Sequence, residues 1–152
     1  MAPATSFVAA QDAGYRVARF DCASWAATND VAGAMHLELK ARLDFPDYYG
    51  ENLSALNDVV GDVPVPAPPA GLALALDHFS AFMNADRHAA TAVLEILANT
   101  THWLLLFGRR FLTVVQVDEG ADDLPLAIHA VRLSYPEQHA LLSLGWKHPH
   151  PL

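Results

Sequence analysis

The segment Phe45-Pro46-Asp47-Tyr48-Tyr49-Gly50-Glu51-Asn52-Leu53-Ser54-Ala55-Leu56-Asn57-Asp58 decides the fold of this 152-residue chain. Pro46 prevents the preceding helix from continuing, because proline disfavours helical backbone at the residue before it. Asn52 is a good N-cap for the next helix, since its side chain can accept a backbone N–H. Two adjacent tyrosines and a glycine lie between these two signals. The segment therefore predicts a short aromatic loop that leads directly into a helix.

The surroundings of this segment are strongly acidic. No lysine or arginine lies between Arg42 and Arg87, whereas seven acids do: Asp44, Asp47, Glu51, Asp58, Asp62, Asp77 and Asp86. Aromatic side chains beside acids suit a surface that docks onto something basic. The whole chain has the same sign, with a net charge of −8 from nine basic and seventeen acidic residues. This balance disfavours direct binding to nucleic acid, which normally requires a basic stripe, and favours a cationic protein partner.

The composition predicts one packed domain in a reducing compartment. Hydrophobic residues make up 53% of the chain and charged residues 17%, as in globular proteins. Cys22 is the single cysteine, which excludes an intrachain disulfide and a thiol–metal cluster. The first basic residue is Arg16, so no secretory signal is evident. The apolar runs Gly71–Leu76 and Trp103–Phe107 are far shorter than the roughly 18 to 20 residues of a membrane span. We therefore predict a soluble cytoplasmic protein with no membrane partner.

Hydrophobic periodicity predicts the first half of the fold. A strand is predicted over Arg16–Phe20, followed by a helix that the Thr28-Asn29-Asp30 cluster caps and that ends near Leu43. Its buried stripe comprises Val31, Met35, Leu39 and Leu43. A shorter helix begins at Asn52 and ends near Gly61. Its apolar half consists of Leu53, Ala55, Leu56, Val59 and Val60, and its polar half of Ser54, Asn57, Asp58 and Gly61.

The second half continues the alternation of strands and helices. A stiff connector at Pro64–Pro69 leads into a buried strand over Gly71–Leu76 and a short helix within Asp77–Asn84. A long helix, capped by Asn84 or Asp86, extends to about Phe107, with these side chains inward: Val93, Leu94, Leu97, Thr101 and Leu104. Phe111–Val117 is the clearest strand. This order indicates an α/β fold with a small parallel sheet flanked by helices.

The end of the chain gives weaker signals. Leu126–Leu133 is predicted to add an edge strand. Ser134-Tyr135-Pro136 is predicted to open a final helix over Glu137–Leu144.

The run Pro46–Leu53 resembles the signature of the barstar family, small intracellular inhibitors of secreted ribonucleases. The resemblance covers about residues 14–117. It implies a three-layer arrangement in which helices pack a small, mainly parallel three-stranded sheet. Residues 1–13 are then a loose N-terminal arm, and residues 118–152 a C-terminal extension that packs on the same domain or is partly disordered.

The resemblance also implies a function. In the family, the loop and the helix after it plug a ribonuclease active site, and a helix carboxylate takes the place of substrate phosphate; by position, Asp58 is that residue. The implied partner-binding residues are Tyr48, Tyr49, Gly50, Asn52, Ser54, Asn57, Asp58 and Asn99. Three of these depart from the family pattern. Ser54 occupies the position of a second acid in the family, and Asn57 occupies that of a tryptophan. Asn99 occupies the position of an acid on the long helix, with Glu95 one turn earlier.

Structural roles compete with binding roles in the same segment. One or both of Tyr48 and Tyr49 can pack the loop against the core, since tyrosine buries its ring and keeps its hydroxyl hydrogen-bonded. Gly50 is expected to supply a backbone conformation that a side chain would forbid. Asn52 is expected to cap a helix in either case. Asp58 taken alone is a solvated helix acid.

Three functional classes stay open at this point. The first is a non-enzymatic inhibitor of a basic ribonuclease with an antitoxin or immunity role, which needs no cofactor or metal. The second is an adaptor or immunity module of the same fold for a different protein. The third, a small hydrolase or metal enzyme, rests on the scattered histidines His78, His88 and His102 and on the tail motif His148-Pro149-His150. No motif of a nucleophile elbow, phosphate loop or zinc protease accompanies them.

Overall fold

The computed structural model describes residues 10–118, 130–135 and 138–143. Five strands form one sheet in the order β1-β2-β3-β5-β4. They are β1 Tyr15–Asp21, β2 Gly71–Asp77, β3 Phe111–Val117, β4 Ala130–Tyr135 and β5 Gln138–Ser143. Five α-helices accompany them: α1 Cys22–Ala26, α2 Val31–Leu43, α3 Leu53–Val59, α4 Phe79–Ala85 and α5 Arg87–Leu106. A 3-10 turn, Val60–Asp62, continues α3.

The first three strands form the parallel sheet that the sequence predicts. Tyr15 pairs with Gly71 and Leu72 with Phe111, so β2 is the centre of this unit. Residues 71–76 are all buried, which explains why the β2 sequence is continuously apolar rather than alternating. The α/β class and the three predicted strands are therefore confirmed.

The C-terminal strands correct one prediction. The helix predicted over Glu137–Leu144 is wrong, because Gln138–Ser143 is a strand that pairs antiparallel with β3 and with β4. The open edge of β3 accounts for the difference, since its unpaired backbone groups are satisfied by an added strand. The edge strand β4 begins at Ala130, and residues 126–129 lie outside the described residues.

The helices begin where the sequence places their caps. Asp30, Asn52 and Asp86 each accept a backbone N–H three residues further on, at the starts of α2, α3 and α5. Asp21 caps the short helix α1, which the sequence did not predict. Each such cap stabilises its helix by about 1 kcal/mol.

The core lies between the parallel strands and the helices. Met35, Leu39 and Leu43 of α2 are buried, whereas Val31 is half-buried at the helix start. The inward stripe predicted for α5 is confirmed, because all five of its side chains are buried: Val93, Leu94, Leu97, Thr101 and Leu104. Among the described helices, α5 alone is long and apolar enough to cross a membrane, and half of that apolar stretch is buried in this core.

The two ends of the chain are described only in part. Residues 1–9 of the predicted loose arm lie outside the described residues, residues 10–12 are helical, and Ala10 is buried. The single cysteine, Cys22, lies in the core, where burial raises the pKa of its thiol and disfavours the thiolate.

Candidate functional site

The two adjacent tyrosines of the segment 45–52, here called the tyrosine loop, have opposite environments. Tyr49 is buried, and its ring packs edge-on against Phe45 with 4.9 Å between the centroids. Its hydroxyl shares a hydrogen bond with Nδ1 of the buried His36 on α2. Tyr48, in contrast, is 79% exposed. The loop therefore uses one tyrosine to attach itself to the core and presents the other to solvent.

Burial fixes the protonation states of the His36–Tyr49 pair. It lowers the pKa of His36, although the charges of Glu51 and Asp30 act in the opposite direction. Burial, together with the charge of Glu51, raises the pKa of Tyr49 to about 12. At neutral pH the phenol is therefore protonated and the imidazole uncharged, so the hydrogen bond joins two neutral groups.

The turn into α3 corrects the role predicted for Gly50. The left-handed residue of the turn is Glu51, with φ of 53°, whereas Gly50 is not at positive φ. A side chain at Gly50 would instead crowd Asn52, because its Cβ would lie 3.2 Å from the Asn52 amide nitrogen. That nitrogen donates to the Gly50 carbonyl over 3.1 Å, and Asn52 Oδ1 accepts from Ala55 N over 2.8 Å. Gly50 thus makes room for the cap.

Helix α3 presents the polar face that its sequence predicts. Leu56, Val59 and the following Val60 are buried, while Ser54, Asn57 and Asp58 are exposed. The segregation into two faces is confirmed. It leaves the Asp58 carboxylate on a rigid, capped helix rather than on a mobile loop.

A groove between α3 and α5 brings together three of the predicted site residues. Its volume is about 310 Å³. The lining residues are Asn57, Asp58, Gly61, Asp62, Asn99, Thr100 and Trp103. Asn57, Asp58 and Asn99 therefore share one concavity, here called the α3–α5 groove. Tyr48, Tyr49, Gly50, Asn52, Ser54 and Glu95 do not line it.

Four lining residues were not predicted as binding residues: Gly61, Asp62, Thr100 and Trp103. Asp62 lies four residues after Asp58, and Trp103 lies four residues after Asn99. Residues at this spacing share a helix face, so the spacing is the signal that places both in the groove. Taken singly, neither an exposed acid nor a tryptophan indicates a binding site.

The seven acids between Arg42 and Arg87 divide into two groups. Glu51 lies 4.0 Å from Lys40, Asp77 pairs with Arg19 at 2.5 Å, and Asp86 caps α5. The other four acids between Arg42 and Arg87 are Asp44, Asp47, Asp58 and Asp62. Within the described part of the chain, none of these four forms an ion pair. The negative charge that remains available to a partner therefore includes both acids of the groove.

The histidines in residues 10–118 are not part of a cluster of three potential metal ligands. His36 is buried beside Tyr49, and His78 contacts Asp21 over 2.9 Å. His88 and His102 are exposed on α5. No group of three His, Cys, Asp or Glu side chains that could hold a metal ion occurs among the residues with described side chains. His148 and His150 lie outside them.

Comparison with protein families gives one match. The model of the family described as Barstar (barnase inhibitor) matches residues 15–116. The matched region begins with β1 and ends within β3, so it contains the parallel sheet, the tyrosine loop and the α3–α5 groove. A search of curated proteins finds no match to the chain.

Proposed function

The chain belongs to the barstar family, and we propose that it inhibits a small basic ribonuclease by covering the enzyme's active site. In this proposal the protein is not an enzyme and uses no cofactor. Its acidic loop–helix surface takes the place that the RNA phosphates would occupy. Of the residues predicted from the sequence, the exposed Tyr48, Ser54, Asn57, Asp58 and Asn99 are the direct contacts, with Asp58 as the central group. The buried Tyr49, together with Gly50 and Asn52, shapes the loop and the helix start that present them.

The observation that carries the proposal is the α3–α5 groove. Asp58 lies in it beside Asn57 and Asn99, and no internal ion pair of Asp58 is found among the described residues. A carboxylate held on a capped helix is preorganised to accept charge-assisted hydrogen bonds from arginine, lysine or histidine. Such side chains line the phosphate sites of ribonucleases, so the groove offers a phosphate-like charge to them.

The charge around the groove supports the choice of a basic partner. The chain carries a net charge of −8, and no lysine or arginine lies between Arg42 and Arg87. Complementary fields accelerate the encounter of two proteins and disfavour partners of the same sign. Tyr48, exposed on the tyrosine loop, offers an aromatic contact of the kind that is enriched in protein interfaces.

The cellular role follows from this activity. An inhibitor of this kind protects the producing cell from its own ribonuclease or from one that a neighbour delivers. We therefore assign an antitoxin or immunity role, exercised in the cytoplasm where the RNA targets lie.

An inhibition assay with the purified chain tests the proposal. We expect the chain to suppress RNA cleavage by at least one member of a panel of small basic bacterial ribonucleases. Asp58→Ala should cost about 2–5 kcal/mol of binding free energy, since it leaves cationic groups of the enzyme buried without a partner. Asp12→Ala is the matched control, because it removes one exposed acid that does not line the groove.

Two results would contradict the proposal. One is the absence of inhibition across the panel. The other is full inhibition by a double variant that carries Tyr48→Ala and Asp58→Ala, which would exclude the surface even if inhibition occurs.

A second candidate function keeps the fold and changes the partner. Ser54, Asn57 and Asn99 are uncharged at positions where the family pattern has acids or a tryptophan, so the surface is suited to an altered target. In that case the chain acts as an adaptor or immunity module for a protein that is not a ribonuclease. A pull-down that retains a partner while every ribonuclease of the panel stays active would favour this candidate.

A further inference from the structure

An exposed tryptophan lines the α3–α5 groove, and a neighbouring exposed phenylalanine packs against it. Trp103 is 56% exposed although it is a large apolar side chain, and it lines the groove. Phe107, four residues later and just past the C-terminal end of α5, is 64% exposed. The two rings lie 5.0 Å apart between centroids in an edge-to-face arrangement. This contact holds the indole of Trp103 in place and leaves it accessible to a ligand.

Asp62 contributes a carboxylate to the same groove. It lies in the 3-10 turn that follows α3 and is exposed. Within the described part of the chain, its side chain forms no ion pair and no hydrogen bond. The described lining residues of the groove include no lysine, arginine or histidine. The groove therefore combines an aromatic surface with uncompensated negative charge.

We infer that Trp103 and Asp62 form a second anchor, which binds an arginine side chain of the basic partner. This inference rests on the proposed function, because it assumes that the partner is a basic protein that docks on this groove. A guanidinium group is planar, so it stacks on an indole and at the same time donates two parallel N–H hydrogen bonds to a carboxylate. A lysine ammonium is more strongly hydrated and cannot stack, so it fits this pair of residues less well.

The anchor explains how the groove can bind a partner despite the departures from the family pattern. Asn57 and Asn99 are neutral, so they contribute polar contacts but no charge. Trp103 and Asp62 return an aromatic side chain and an acid to the same concavity, four residues after Asn99 and five residues after Asn57.

A titration that needs no ribonuclease tests the anchor directly. The full ¹⁵N-labelled chain is titrated with N-acetyl-arginine amide and, separately, with N-acetyl-lysine amide. The indole N–H signal of Trp103 is assigned by its loss in Trp103→Phe. We expect the arginine compound to shift this signal, the lysine compound to shift it less, and Asp62→Asn to weaken the arginine effect. Equal shifts with both compounds, or none with arginine, would overturn the inference.

Inhibition measurements test the anchor in its functional setting. With a ribonuclease that the chain inhibits, Trp103→Ala and Asp62→Asn should each raise the inhibition constant about tenfold. Trp103→Phe should retain most of the inhibition, since a smaller ring still stacks on a guanidinium. Leu106→Ala and Asp12→Asn are the controls, because both residues are exposed and neither lines the groove.

The outcomes separate the two proposals. Unchanged inhibition by Trp103→Ala and Asp62→Asn would overturn the anchor and leave the inhibitor function intact. If the chain inhibits no ribonuclease, the proposed function fails, and the arginine titration alone decides whether the anchor exists. Thermal unfolding of each variant checks that the fold is retained, as expected for exposed positions.

Discussion

The tyrosine loop and the α3–α5 groove differ in how they use their polar groups. In the loop, the Tyr49 hydroxyl binds His36, Glu51 lies beside Lys40, and the Asn52 side chain caps α3. In the groove, the Asp58 and Asp62 side chains have no hydrogen-bond or ion-pair partner among the described residues. The run Pro46–Leu53, which carries the family signature, therefore has a largely structural role. The groups available for binding lie mostly in the groove.

The largest expected effect in the loop comes from Tyr49→Ala. It removes a buried ring that packs on Phe45 and His36, so we expect a loss of about 3–5 kcal/mol in the free energy of unfolding. Urea unfolding measures it. Tyr48→Ala is the matched control and should change stability by less than about 0.5 kcal/mol, since Tyr48 is exposed. Similar losses of unfolding free energy in the two variants would contradict the assignment of Tyr49 to the core and Tyr48 to the surface.

A smaller effect is expected at the start of α3. Asn52→Ala removes the cap and should lower the free energy of unfolding by about 1 kcal/mol. Asn57→Ala, an identical substitution five residues later in the groove, should leave stability nearly unchanged because Asn57 is exposed. Urea unfolding of both variants provides the comparison. A larger loss for Asn57→Ala would show that the groove, like the loop, is part of the structural framework.

The dependence of stability on pH sharpens the role of the His36–Tyr49 pair. Because burial lowers the pKa of His36, the unfolded chain binds a proton more readily than the folded one. The free energy of unfolding should therefore fall as pH decreases below the ordinary histidine pKa of about 6.5, by at most about 1.4 kcal/mol per pH unit. Urea unfolding at a series of pH values measures this slope.

Two variants test whether His36 causes this pH dependence of stability. His36→Gln should lower stability at all pH values and reduce the slope in this range. His88→Gln, at an exposed histidine on α5, should leave the slope unchanged. A slope that survives His36→Gln would mean that other groups cause the pH dependence.

Much of the fold could be predicted because its signals are local. The limits of β3, the Asp30 and Asn52 caps and the apolar stripe of α5 follow from residue type and spacing over a few positions. The prediction for 137–144 was wrong because its structure depends on the unpaired edge of β3, which is distant along the chain. A backbone conformation unfavourable to side chains was predicted at Gly50, but Glu51 adopts it instead, because the turn geometry decides which residue takes positive φ.

The sequence by itself determined the α/β order, the capped helices and the acidic helix face that carries Asp58, since each depends on neighbouring residues. The tertiary structure decided the rest. It turned Tyr49 inward to His36 and left Tyr48 outside, although nothing local distinguishes the two tyrosines. It also placed Asp62 and Trp103 in one groove, because residues so far apart in the chain meet only when the elements that carry them pack on the same core.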